Sequence, residues 1–325
     1  RMPVESGRKP SLDLVGLFLF SLAVLGILTI FTIGGRDVAW ISPSMMVLTG
    51  VTLFLSLLFY FVEKRTADPM IDFSYFRQRN FSLGNGAIFL ASFTIFSFFA
   101  YAPLYIQGSL GLSPMEVGLA MVSLSLGWSL GAMFFGWVSH SGYERAWAIA
   151  GALVLLAGSL LTLRFGLKTT IVECFLVFFI VGVGMGFVSL TTLLIVQNSV
   201  EGQDLGVVTS FHQFGRSLGG TIGVGICGGM VTTGLFGAIE RSTVFLPSSL
   251  IRNLQQSIEN VLLPEFQESV PAAALETLRG AVFSGVFAVF IVASVSSFLC
   301  LLCCVLLAKP DGDENAVQAL PKREK

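Results

Sequence analysis

The chain has 325 residues, 54% of them hydrophobic and 12% charged, with a net charge of −1. A soluble domain carries about 25% charged residues, so this chain lacks the polar skin it would need in water. The same figures exclude a disordered or collagen-like chain and a nucleic-acid partner, and 2 His are too few for a multi-haem protein. What remains is an all-α polytopic membrane protein.

A bilayer core about 30 Å thick takes about 20 apolar residues in a helix. That ruler predicts eight transmembrane helices, over 12–33, 44–62, 81–106, 114–139, 147–165, 170–197, 205–239 and 280–307. The runs are continuous and do not alternate with period two, which selects helices over a barrel. Polar breaks separate them, the longest being 240–277. With eight spans both termini share a side. That side holds twelve of the Lys and Arg in the termini and connections and the other side six, so the positive-inside rule places both termini in the cytoplasm. Arg1, Arg8 and Lys9 precede a run too long for a signal peptide, and no small-residue cleavage site follows it.

Charges inside a span need a reason. Asp13, Glu116, Arg164 and Glu173 fall near helix ends, within reach of the headgroups. Arg216 does not: it follows eleven mostly apolar residues of span seven, which at 35 residues would run about 52 Å. It reads either as a gate or charge relay or as an interfacial anchor. His212 lies one turn before it on the same face and reads as structural.

Glycines mark where helices approach closely. Span seven carries Gly215, Gly219 and Gly223 in two successive GxxxG steps, and span four carries Gly127 and Gly131. The pair GWSLG and GRSLG hints at a three-helix internal repeat. Two stripes suit a cavity for a small lipophilic substrate: Asn85, Phe89, Ser92, Phe96 and Phe99 on span three, and Phe178, Gly182, Met185, Ser189 and Thr192 on span six. Packing on neighbouring helices is the plainer reading of each residue. The GVGICG run in span seven has no preceding strand and is no dinucleotide fingerprint, and Cys300, Cys303 and Cys304 read as buried apolar thiols. No catalytic constellation, cofactor site or metal site is expected, so the protein does not read as an enzyme.

Four stretches carry a family likeness: EKRTADPMIDFSYFRQRN (63–80), YAPLYIQGSLGLSPMEVG (101–118), GWVSHSGYER (136–145) and HQFGRSLGGTIGVGICG from His212. In that order they resemble the major facilitator superfamily, and within it the fourteen-helix drug:proton antiporter branch of EmrB/QacA type. The resemblance implies a central helix pair (1–62), a cytoplasmic linker (63–80), a C-terminal six-helix bundle built as an inverted 3+3 repeat (81–308, with an extracytoplasmic loop over 240–277) and a cytoplasmic tail (309–325). It also implies a missing N-terminal six-helix bundle as partner, protons as coupling ions, multidrug efflux by alternating access, and residence in the inner membrane. Spans three and six would line the cavity. Spans four and seven would face the partner bundle through their glycines, with Arg216 and His212 at the gate. His140 stands where the superfamily's loop motif carries Asp, and no mid-membrane carboxylate is present to hold a coupling proton. The competing expectation is a non-transporting eight-helix scaffold, or a half-transporter that pairs with a separate bundle. An amphipathic stripe of Leu250, Leu254, Ile258 and Leu262 would be buried by lying flat on the outer face or over the cavity mouth.

Overall fold

The computed structural model describes residues 13–35, 38–66, 73–138, 143–200, 204–240 and 272–308. Among these described residues, eight helices are long and apolar enough to cross a membrane. These are α1 (Leu14–Ile33), α2 (Pro43–Glu63), α3 (Arg79–Pro103), α4 (Pro114–Val138), α5 (Glu144–Thr162), α6 (Ile171–Gln197), α7 (Leu205–Glu240) and α8 (Ala272–Leu306). Among the described residues the only β pairing is an isolated bridge between Gly34 and Val38. The stripe Leu250–Leu262, His140 and the tail after Ala308 lie outside the described residues.

Local chemistry sets the helix ends. Asp13 caps α1 by accepting the Gly16 N–H at 2.8 Å, and Ser42 caps α2, whose first residue is Pro43. Glu116 and Glu173, expected near the headgroups, turn back onto the N–H groups of Ser113 and Thr170 at 2.7 Å, so both acids close capping boxes. At the end of α3, Pro103 withholds an N–H and the chain continues as a π-helical turn, Leu104–Ser109. Three helices begin two or more residues earlier than expected, among them α5, which starts at Glu144 rather than at 147. Helix α8 begins at Ala272, eight residues before the expected start, so the loop assigned to 240–277 is shorter. Helix α3 begins two residues early, at Arg79.

Helices α3–α8 form one bundle. Helix α4 packs on α6, α5 on α6, α3 on α7, and α8 against α3, α7 and α5, while α1 pairs with α2 and also touches α7. At the centre, Phe98, Tyr105, Phe165, Phe178 and Phe290 meet ring to ring, with Tyr105 stacked on Phe165 at 5.5 Å and edge-on to Phe290 at 5.4 Å. Beside them a dry hydroxyl chain ties three helices: Thr94 reaches Ser297 at 3.2 Å, Ser297 reaches Ser159 at 2.9 Å, and Ser294 donates to the Ser159 carbonyl at 3.0 Å. Each of these hydroxyls also has a main-chain carbonyl as acceptor or relay, so no donor is stranded in lipid.

At the opposite end of α3 a second aromatic group docks the linker. Phe76, of the 3₁₀ turn Phe73–Arg77, meets Phe81 of α3 at 5.4 Å and Phe211 of α7 at 5.2 Å. At the same end the last carbonyls of α8 are clasped. Arg79 Nε donates to Leu306 O and Arg145 Nη2 to Val305 O, both at 2.7 Å, and Ala308 N–H donates to Asn80 Oδ1 at 2.8 Å.

Candidate functional site

The site is best built from α7, where side chains are missing on one face. Gly220, Gly225 and Gly228 leave a shallow floor there, and the neighbours that could fill it supply walls instead. Helix α1 contributes Phe31 and Thr32, α3 contributes Phe96 and Tyr101, and α7 adds Ser217, Thr221 and Val224. The space enclosed is about 410 Å³, a volume suited to a small organic molecule. Close approach sustains this shape. A side chain at Gly225 would run into the Phe31 carbonyl, which is how the end of α1 comes to rest on α7. Tyr101 donates to the Val224 carbonyl at 2.7 Å and so holds its ring along the wall. Thr221 donates to the Ser217 carbonyl at 3.1 Å, leaving its oxygen lone pairs toward the groove.

Arg216, half-buried and not itself among the lining residues, directly precedes Ser217 of the groove on α7. Its guanidinium carbon is 6.0 Å from the centroid of the Trp128 ring of α4, and Trp128 meets Phe96 edge-on at 6.3 Å. His212, one turn earlier, is 1% exposed. Its Nε2 is 3.0 Å from Thr192 Oγ1, which spends its own hydrogen on the Val188 carbonyl at 2.7 Å. The imidazole and the Thr192 hydroxyl thus share a hydrogen bond between α6 and α7, and Nδ1 has no hydrogen-bond partner. Gln197 donates to Thr209 at 2.8 Å nearby, a second clasp between α6 and α7.

The expected residues divide. Phe96 lies on the groove wall and Phe99 packs beside it at 6.4 Å. Phe89 and Ser189 are half-buried. Ser92, Phe178, Met185 and Thr192 are fully buried and are corrected from cavity lining to bundle interior. Asn85 is buried too, donating to the Phe81 carbonyl at 2.9 Å. The reason is that an intramembrane helix is apolar on every side, so periodicity reveals a face without saying what it meets.

The glycines expected between bundles need the same correction. Gly127 and Gly131 lie against the backbone of α6 at Phe179 and Val183, answered by Gly182 and Gly186 against α4. Gly219 and Gly223 lie against the α3 backbone at Phe89 and Phe93, and Gly215 faces Asn85 and Ile88 more loosely, at 3.9 and 4.0 Å. All are covered from within this chain, so their spacing does not call for a second bundle. Ser217, Thr221, Tyr101 and Phe31 escaped the sequence reading. The visible signal was the GGTIGVGICGG run, in which a hydroxyl accompanies unusually many missing side chains.

Among the described residues, eight helices long and apolar enough to cross a membrane, three of which wall a groove with rings and hydroxyls, define a multi-pass membrane protein of the helical-bundle type. Residues 14–224 match the profile of the Major Facilitator Superfamily, and the chain belongs to that family. It is 30% identical over 219 residues to the multidrug transporter protein MdtP of Bacillus subtilis, covering 67% of this chain and 40% of that protein. Multidrug resistance protein 3 of the same organism is 23% identical over 93% of this chain and 60% of its own length. Multidrug resistance protein fnx1 of Schizosaccharomyces pombe is 24% identical over 90% and 56%. The chain thus spans 40 to 60% of the length of these relatives. Among solved structures, a bacterial homologue of the human lysosomal transporter Spinster, inward-facing and unoccupied, aligns over 90% of this chain and 64% of that one at 16% identity and a TM-score of 0.46.

Proposed function

We propose that this chain forms the central helix pair and C-terminal six-helix bundle of a proton-driven exporter of lipophilic compounds. The groove on α7 is the observation that carries the reading: 410 Å³ of ring-walled space inside a membrane bundle has the size and chemistry of a lipophile site. Three relatives named for multidrug transport or resistance support the same direction. In this reading the bundle rocks against a six-helix partner bundle, so that the groove opens to each side in turn. The partner meets the outward apolar stripe of α4 that includes Leu119, Val122, Leu126, Leu130 and Trp137, all exposed. Both termini lie in the cytoplasm and the membrane is the cell's inner membrane.

Accumulation of the neutral dye Nile red in energised cells tests this. Cells carrying the native protein should hold less dye than cells without it, and a protonophore should erase the difference. Equal accumulation in both would defeat the exporter reading. A difference that survives the protonophore would defeat proton coupling alone.

A further inference from the structure

Next to the residues that line the groove is a cation with no carboxylate partner among the described residues. Arg216 directly precedes the groove residue Ser217 and shares a helix face with Gly220, four residues on. Its guanidinium lies over Trp128, whose ring abuts Phe96 on the groove wall. Among the described residues no carboxylate pairs with it, and none lines the groove. The acids of the described spans sit at or near helix ends, among them Asp204 just before α7, Glu240 at its last residue and Glu276 four residues into α8. His212, held at Nε2 by Thr192, supplies no negative charge to Arg216. A ring face offsets only part of what a charge loses on leaving water, so a guanidinium held this far along a membrane helix calls for an anion.

We propose that the groove takes an anionic amphiphile. Its carboxylate or phosphate group sits on Arg216, and its aromatic or alicyclic body lies among Phe31, Phe96 and Tyr101. A planar guanidinium matches either oxyanion with two parallel hydrogen bonds. The exposed Ser217 beside it donates a further one, while Thr221, whose hydrogen is spent, accepts from a hydroxyl on the body. A lipophilic cation of the same shape meets a like charge at the same place. This inference rests on the groove being the transport site and adds the charge class of what it holds.

The test uses the native protein in nanodiscs of zwitterionic phosphatidylcholine, with energy transfer from tryptophan to pyrene as readout and empty nanodiscs subtracted. Three probes share one body: 4-(1-pyrenyl)butyrate, 4-(1-pyrenyl)butanol and 4-(1-pyrenyl)butyltrimethylammonium. The butyrate should bind about tenfold more tightly than the ammonium, the scale of one charge-assisted hydrogen bond. Arg216→Gln should bring the two within about threefold, and Arg216→Lys should keep most of the preference. Equal binding of all three probes overturns the anion assignment while leaving the groove as a lipophile site. Absence of binding by any probe overturns both. A preference for the butyrate that persists in Arg216→Gln places the anion elsewhere and also overturns the assignment.

Discussion

Two glycine-rich surfaces of this bundle have opposite fates. Between α4 and α6, Gly127, Gly131, Gly182 and Gly186 interleave until backbone meets backbone, and nothing can enter. Along α7, Gly220 and Gly228 face the Phe96 ring and the Tyr101 hydroxyl, with no opposing backbone among the atoms nearest them. The Phe96 ring and the Tyr101 hydroxyl lie over these glycines, within 2.6 and 2.7 Å of where a Cβ would stand, and the groove opens beside them. A glycine in a membrane helix therefore has no fixed meaning. It makes a seam where it meets backbone and borders a groove where it meets an aromatic side chain.

Substitutions can break this contrast. Gly182→Leu should have the largest effect, because its side chain would enter the α4 backbone at Leu124 and Trp128, which cannot turn aside. We expect a loss above about 3 kcal/mol, read as collapse of the monodisperse fraction and of the unfolding midpoint in detergent. Gly220→Leu meets a side chain rather than backbone, the Phe96 ring at Cδ2 and Cγ. Stability should fall by no more than about 1–3 kcal/mol while Nile red binding drops about tenfold, measured by dye fluorescence on the same purified protein. If both variants unfold alike, seam and groove are not different structures. Tyr101→Phe removes one hydrogen bond to a helix carbonyl and should cost about 1 kcal/mol, visible as a small midpoint shift with dye affinity changed less than in Gly220→Leu. Gly136→Ala, where an added methyl meets nothing within 4 Å, should leave the midpoint unchanged or raise it by less than about 1 kcal/mol of helix propensity.

The fold was legible where the bilayer imposes it. Spans of about 20 apolar residues have no other use, and seven of the eight helix starts lie within about three residues of the expected positions. The eighth failed because Glu276 and Arg279 interrupt the hydropathy, although helix α8 runs through both. Arg279 is in fact accommodated, lying over Gly111, whose φ of 70° forms the turn between α3 and α4. The site was less legible because lipid reverses the usual rule. In water the apolar stripe of a helix faces inward, but in a bilayer both faces are apolar and only contact decides. Phe178 and Phe96 thus looked equivalent, yet one fills the core and the other walls the groove. The groove also needs Phe31, about 190 residues before Gly220, and no local pattern announces that meeting.

The clasp on α8 bears on how the protein is made. Arg79 and Arg145 leave the ribosome 227 and 160 residues ahead of the carbonyls they hold. Until α8 arrives, both arginines must be served by water or headgroups, so α3 and α5 insert as an unlocked pair. The contacts to Leu306 and Val305 then act as a completion mark: a nascent chain that stalls before α8 lacks the tie that closes the bundle, and membrane quality control meets two waiting arginines at one end of it.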